Sequence, residues 1–135
     1  MILGIGTDMV YVPRMKKLWA KQGRAFLDRC YTTREIDYIM QAENEDALIA
    51  RLAKRWAAKE AAAKALGTGI SGMVYLSDIE TVNQDNGCPH IYFYGGALDA
   101  LNEKAHGLGT PEGFISLSDD GDFAQAFVVL SLKNL

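Results

Sequence analysis

The chain has 135 residues, a length that suits one domain better than two. Apolar residues make up 49% and charged residues 23%, which is typical of a globular protein and excludes general disorder. The net charge of −3 argues against an extended surface for nucleic acid or anionic membrane, although a local basic site remains compatible with it.

Cysteine usage and the N-terminus both indicate an intracellular protein. Cys30 and Cys88 form neither a disulfide framework nor a zinc-site pattern, so we expect two reduced thiols. The N-terminal stretch is apolar but short and interrupted by glycines, unlike a signal peptide, and nothing approaches the roughly 20 apolar residues of a membrane span. We therefore expect a soluble cytoplasmic protein.

The first quarter of the chain predicts one strand and two short helices. Residues 2–7 have the pattern of a strand. Pro13 suits the first turn of a helix, and Gly23 is a plausible end for it. Thr32 and Glu35 have the spacing of a capping box, which predicts the start of a second short helix.

The strongest pattern predicts one long helix between Asn44 and Gly69. Asn44 can cap its N-terminus, an alanine-rich segment without a helix breaker follows, and Gly67-Thr68-Gly69 can end it. The stripe along one face is apolar and consists of Ile49, Leu52, Ala53, Trp56 and Ala63.

The remaining patterns predict hairpins with one further helix. We expect strands over residues 77–83 and 90–94, a helix over 97–106, and strands over 114–118 and 123–132 joined by a turn at 119–122. Hairpin strands with inserted helices indicate an α+β fold with a mainly antiparallel sheet, in one domain covering residues 1–135.

Glu60 continues the apolar stripe of the long helix, where a carboxylate needs a partner. One interpretation is an i,i+4 ion pair with Lys64 at the edge of the core. Asp8 is a second candidate, because it follows a strand in which Gly4 and Gly6 permit close backbone approach. Its simpler interpretation is a cap for the helix that Pro13 opens.

Together, a carboxylate from a strand and one from a helix resemble a Mg²⁺ site, because Mg²⁺ takes one or two carboxylates along with waters and substrate phosphates. Positive charge on the long helix suits a phosphorylated small molecule, and a solvated helix face is the alternative. The basic residues concerned are Arg51, Lys54, Arg55, Lys59 and Lys64.

Several motifs occur in one order along nearly the whole chain. They are GIGTD near the N-terminus with Arg14 shortly after it, RWAAKEAAAKALGTGI over residues 55–70, Gly87-Cys88-Pro89, and SLSDDGDFAQAFVVL over residues 116–130. This order resembles the holo-acyl-carrier-protein synthase family. The helix motif is the specific part of the resemblance, since GIGTD alone is too weak to identify a nucleotide loop.

The resemblance implies a 4′-phosphopantetheinyl transferase that moves the phosphopantetheine arm of coenzyme A to a serine of an apo acyl carrier protein in fatty-acid or related lipid synthesis. It implies Asp8 and Glu60 as Mg²⁺ ligands and Lys64 as the contact to the pyrophosphate. The base for the serine stays open between Glu60 and a metal-bound water.

The resemblance also assigns residues to the adenosine end of coenzyme A. Arg55 matches a position near the 3′-phosphate, Gly67-Thr68-Gly69 would bring backbone groups to the cofactor, and Pro89 would pack against adenine. Asp119 departs from the pattern, because some relatives have a histidine there and an ionised aspartate would repel the phosphate.

Partners follow from the same resemblance. Arg14, and less strongly Arg24, match positions that face the acidic helix of the carrier protein, and a homotrimer with active sites between subunits is implied. Two alternatives remain: a non-catalytic module of the same fold that binds coenzyme A or a nucleotide, and a structural oligomerisation domain.

Overall fold

The computed structural model describes residues 1–133 as an α+β fold. Its elements in chain order are β1 (Ile2–Tyr11), α1 (Val12–Gln22), α2 (Arg24–Cys30), α3 (Thr33–Met40), α4 (Glu45–Leu66), a 3-10 turn (Leu76–Asp78), β2 (Ile79–Asn83), β3 (Pro89–Phe93), α5 (Gly95–Ala105), β4 (Pro111–Asp120) and β5 (Phe123–Leu132).

The strands form two antiparallel sheets, which confirms the predicted fold class. The larger sheet has the order β1-β5-β4, and the smaller one is the β2–β3 hairpin. Alternate residues of β5 from Ala124 to Leu132 are buried, because the inner face of the larger sheet packs against α4. The core therefore lies between this sheet and the long helix.

Helix α4 has the ends that the sequence predicts. The side chain of Asn44 accepts a hydrogen bond from the amide of Ala47, and Gly67 ends the helix in the left-handed conformation with φ of 81°. The helix is buried on most sides rather than along one stripe, because its alanines let other elements approach closely. Arg55 and Lys59 are buried as well.

Several boundaries and one helix differ from the predictions, and three of these differences are the most informative. Strand β1 continues to Tyr11, so Asp8 lies within the strand and Tyr11, not Asp8, precedes the first helix turn. Helix α2 was not predicted; the positive φ of Gly23 separates it from α1. The last hairpin turns at Gly121 and Asp122, since β4 extends through Asp120.

The outer face of the larger sheet is exposed and carries several large apolar side chains beside polar ones such as Thr7 and Gln125. The large apolar side chains on this face, which we call the outer sheet face, are Ile5, Met9, Tyr11, Phe114, Phe123 and Phe127.

Among the described residues, no helix has the length and hydropathy to cross a membrane. Cys30 is buried and Cys88 exposed, and both are free thiols.

Candidate active site

Two glycines bring β1 against α4. A Cβ on Gly4 would lie 2.1 Å from the carbonyl oxygen of Ala65, and one on Gly6 would lie 2.0 Å from that of Ala61. Only glycine permits this approach of strand to helix. Asp8 follows Gly6 by two residues and therefore lies on the same inner face of β1. The close contact of strand and helix places its carboxylate beside α4.

Asp8 and Glu60 face each other at this contact. Burial raises the pKa of Glu60, and the nearby charge of Asp8 raises it further, while Lys64 and Arg14 oppose the shift. Lys64 does not form the i,i+4 pair with Glu60 that its spacing allows. Its Nζ lies 3.1 Å from Oδ1 of Asp8 and also donates to the carbonyl of Thr7.

A cavity of about 650 Å³ opens in front of the two carboxylates, between α1 and α4. It is lined by Asp8, Arg14, Met15, Lys17, Leu18, Lys21, Trp56 and Glu60. Lys17 and Lys21 were not predicted as site residues, although Arg14, Lys17 and Lys21 follow helical spacing along α1 and this pattern could have indicated a shared face.

Arg24 has a different environment from Arg14. It begins α2 and its Nε lies 3.0 Å from Oδ1 of Asp28 on the same helix. It is not one of the described residues that line the cavity. The structure therefore groups Arg14 with the two lysines of α1 and places Arg24 apart from them.

Arg55 is 2% exposed and is not one of the described residues that line the cavity of the two carboxylates. Its Nη2 donates to Oδ1 of Asn83 at 3.0 Å, and the guanidinium lies 4.2 Å from the ring centre of Tyr38. Its Nε is buried without a hydrogen-bond partner among residues 1–133. Asn83 pairs with Pro89 across the β2–β3 hairpin, so Asn83 links Arg55 to the strand pair that carries Pro89.

The Gly67-Thr68-Gly69 segment directly follows the turn of α4 that carries Lys64. The amide of Gly67 donates to the carbonyl of Lys64 at 2.9 Å, and the amide of Gly69 donates to that of Ala63 at 3.1 Å. These two amides are thus used in ending the helix, while the segment itself lies near the surface beside Lys64.

The donor set suits a hard divalent cation. Within residues 1–133, no group of three or more His, Cys, Asp and Glu side chains encloses a metal position. Two carboxylates that face one cavity are the kind of protein ligands that Mg²⁺ takes when waters and substrate phosphates supply the remaining ligands. Asp8 and Glu60 therefore fit this ion.

The comparison with known protein families is decisive for the chain as a whole. Residues 4–126 match the model of the 4′-phosphopantetheinyl transferase superfamily. The chain belongs to this superfamily. Among other members, it is 42% identical to the holo-[acyl-carrier-protein] synthase of Bradyrhizobium diazoefficiens over 137 residues, which cover 97% of this chain and 95% of the relative.

Solved structures of this transferase superfamily have the same fold. The crystal structure of holo-[acyl-carrier-protein] synthase from Neisseria meningitidis is 39% identical, with a TM-score of 0.80, covering 97% of this chain and 99% of that one. The synthase of Helicobacter pylori, solved in complex with coenzyme A, is 27% identical with a TM-score of 0.77, covering 94% and 99%. Both support the predicted fold and family.

Asp119, for which the resemblance implies a difference from some relatives, has a cation beside it in this chain. Oδ1 of Asp119 lies 3.6 Å from Nζ of Lys54 on α4, and both side chains are partly exposed. The pair offsets the negative charge that Asp119 would otherwise direct at a bound anion. The departure thus comes with a local compensation.

Proposed function

We propose that this chain transfers the 4′-phosphopantetheine group of coenzyme A to a serine of an apo acyl carrier protein and releases adenosine 3′,5′-bisphosphate. The observation that carries the proposal is that Asp8 and Glu60 line one cavity and that Lys64 contacts Asp8, in a member of this superfamily. Two carboxylates and a lysine are the groups that binding and transfer of a phosphate ester require.

Asp8 and Glu60 would hold Mg²⁺. When bound, this ion would supply charge neutralisation and Lewis acidity at the pyrophosphate of coenzyme A. Asp8 is fixed within a paired strand and Glu60 within a long helix, so both carboxylates have rigid supports. Rigid placement lowers the cost of ordering these side chains when the site binds its substrate.

Lys64 would bind the pyrophosphate. In the structure its ammonium neutralises Asp8, and its side chain is 54% exposed, so it can exchange this partner for a phosphate oxygen. As the carrier serine attacks the phosphorus, negative charge accumulates on the departing bisphosphate, and an ammonium held at that position stabilises it. The serine proton passes to Glu60 or to a water beside it.

The adenosine end would lie at Arg55 and Pro89, and the Gly67-Thr68-Gly69 segment, which follows Lys64 at the end of α4, would bring backbone groups to the cofactor. Support comes from the link of Arg55 and Pro89 through Asn83, and from the unpartnered Nε of Arg55 within the described chain. Lys54 on the same helix would offset the negative charge of Asp119 near the bound phosphate.

The carrier protein would dock on the basic face of α1. Arg14, Lys17 and Lys21 line the cavity that contains Glu60, so a serine on an acidic helix bound there would be delivered to the reaction site. Arg24 lies on α2, outside this face, and would contact the edge of the carrier. Its pair with Asp28 would have to open for that contact.

A homotrimer would cover the outer sheet face. Contiguous exposed apolar surface of this kind is uncommon on monomers and marks interaction sites. Assembly through the sheet leaves α1 and the cavity open and places subunits side by side, which is compatible with active sites between them. The setting proposed for the reaction is fatty-acid or related lipid synthesis in the cytoplasm.

Intact-mass spectrometry tests the function directly. An apo acyl carrier protein is incubated with the protein, coenzyme A and Mg²⁺, and in parallel with a chelator. A metal-dependent gain of one phosphopantetheine is expected, and Glu60→Gln should abolish it while retaining the melting temperature of a folded protein. Binding of coenzyme A with no gain on several carriers would instead identify a non-catalytic binding module.

A further inference from the structure

A buried ion pair lies on the side of α4 that faces the β2–β3 hairpin. Nζ of Lys59 is 2.6 Å from Oε1 of Glu35, and neither side chain is exposed. Buried pairs of this kind add little stability compared with apolar side chains of the same size. The role of the pair therefore has to be sought in what it holds in place.

The pair holds the start of β2. Lys59 also donates to the backbone carbonyls of Leu76, at 2.8 Å, and Ile79. The second carboxylate oxygen of Glu35 accepts the amide of Thr81 at 3.0 Å. All three donors of the ammonium and both oxygens of the carboxylate are used, so the connection allows little sliding of the strand along the helix.

Arg55 holds the other end of the same strand. It precedes Lys59 by one helical turn, and its bond to Asn83 attaches the last residue of β2 to α4. Asn83 is paired with Pro89 of β3. The strand is thus attached to the helix at both ends, and these attachments determine where Pro89 lies relative to Arg55.

We propose that Lys59, paired with Glu35, is a positioning residue for the adenosine end of coenzyme A. It fixes the hairpin on α4 and with it the separation of Pro89 from Arg55, which the proposed function assigns to adenosine binding and on which this inference rests. Loss of the pair weakens binding of coenzyme A. It leaves the reacting groups on β1 and at Glu60 in place, because the glycine contact of β1 with α4 does not involve the hairpin.

The test is the double variant Lys59→Met with Glu35→Gln. The Glu35→Gln change retains a side-chain oxygen for the amide of Thr32 and so preserves the capping box of α3, and methionine fills the space of the lysine stem. Initial rates are measured with coenzyme A varied and then with the carrier varied. We expect the KM for coenzyme A to rise about tenfold, with kcat and the KM for the carrier within about twofold of wild type.

A matched control separates positioning from general loss of stability. Val128→Ala trims the core beneath the larger sheet, at a position that pairs with Gly6 and Ile115 rather than with the hairpin, and should leave the KM for coenzyme A unchanged. The inference is wrong if the control raises this KM as much as the double variant does. It is equally wrong if the double variant lowers kcat alone, or changes nothing.

Two further measurements distinguish failure of this inference from misfolding of the variant and from failure of the proposed function. If the double variant does not fold, Glu35→Gln alone should produce a smaller rise of the same sign. If the wild-type protein shows no transfer, the proposed function fails. Calorimetric titration with adenosine 3′,5′-bisphosphate still decides the inference, because equal affinity in wild type and double variant would overturn it and weaker affinity in the variant would support it.

Discussion

Lys64 and Asp8 form an ion pair across the contact between α4 and β1, with 3.1 Å between Nζ and Oδ1. Lys64 lies one helical turn after Glu60, so the pair places a cation beside two carboxylates that otherwise repel each other. The ammonium is more than half exposed, and such pairs contribute little to stability. This geometry favours a role in ligand binding over a role in folding.

Replacement of Lys64 by methionine tests whether this residue acts in ligand binding or in folding. We expect kcat for phosphopantetheine transfer to fall on the order of 100-fold, because the departing bisphosphate loses a fixed positive charge. The free energy of unfolding in urea should change by less than about 1 kcal/mol. A large loss of stability with activity retained in the folded fraction would assign Lys64 to the structure instead.

Gly6→Ala tests whether close packing of β1 on α4 builds the site. The added Cβ would lie 2.0 Å from the carbonyl oxygen of Ala61, so the strand and helix must separate. We expect destabilisation of about 1–3 kcal/mol together with loss of transfer by the folded protein. Gly72→Ala is the control, since a Cβ there meets no atom within 4 Å. Normal activity in Gly6→Ala would show that the spacing is not critical.

The ends of helices and the family motif could be predicted from sequence because their signals are local. Asn44, Gly67 and the capping box of Thr32 and Glu35 act within one turn of the chain, and the structure confirms each of them. Helix α2 escaped prediction because seven residues carry too little periodicity, and its start is set by the backbone of Gly23.

Partners distant in sequence could not be predicted. The i,i+4 spacing suggested an ion pair between Lys64 and Glu60. The ammonium of Lys64 instead contacts Asp8, 56 residues away, because β1 lies against the helix. Lys59 looked like part of a basic helix face, yet it is fully buried with Glu35. Charge on a helix shows its environment only when the packing of other elements is known.

Because of Glu80, we expect the free energy of unfolding to fall at acidic pH. Burial tends to raise the pKa of its carboxyl, but hydrogen bonds from Arg34, Thr32 and Tyr94 outweigh burial and hold the pKa below its ordinary value of 4.5. A carboxyl with a depressed pKa stabilises the fold above its ordinary pKa, and this stability is lost as pH falls through the lowered value.

Urea unfolding at about pH 7 and about pH 4 measures this contribution. Glu80→Gln keeps the size of the side chain and should lose less unfolding free energy between the two pH values than wild type does. Tyr94→Phe removes one of the three hydrogen bonds and should give an intermediate loss. Equal losses in wild type and Glu80→Gln would remove Glu80 from the explanation.

Phe127→Glu tests the proposed trimer. Phe127 lies in the middle of the outer sheet face and is 45% exposed, so a buried charge at this position would oppose assembly. Sedimentation should show a trimer for wild type and a monomer for the variant, with transfer activity reduced in the monomer. Leu108→Glu changes an exposed apolar residue outside this face and should remain trimeric. A monomeric wild type would refute the assembly.

Charge reversal on α1 tests the proposed carrier surface. Lys17 lines the cavity that contains Glu60, whereas Lys16 is exposed on the same helix but is not among the described residues lining it. Lys17→Glu should raise the KM for the carrier about tenfold with the KM for coenzyme A unchanged, because repulsion slows and misorients encounter. The effect should shrink as salt is added, since screening weakens exposed charges. Lys16→Glu should have a clearly smaller effect; equal effects from both would indicate net charge rather than a defined docking surface.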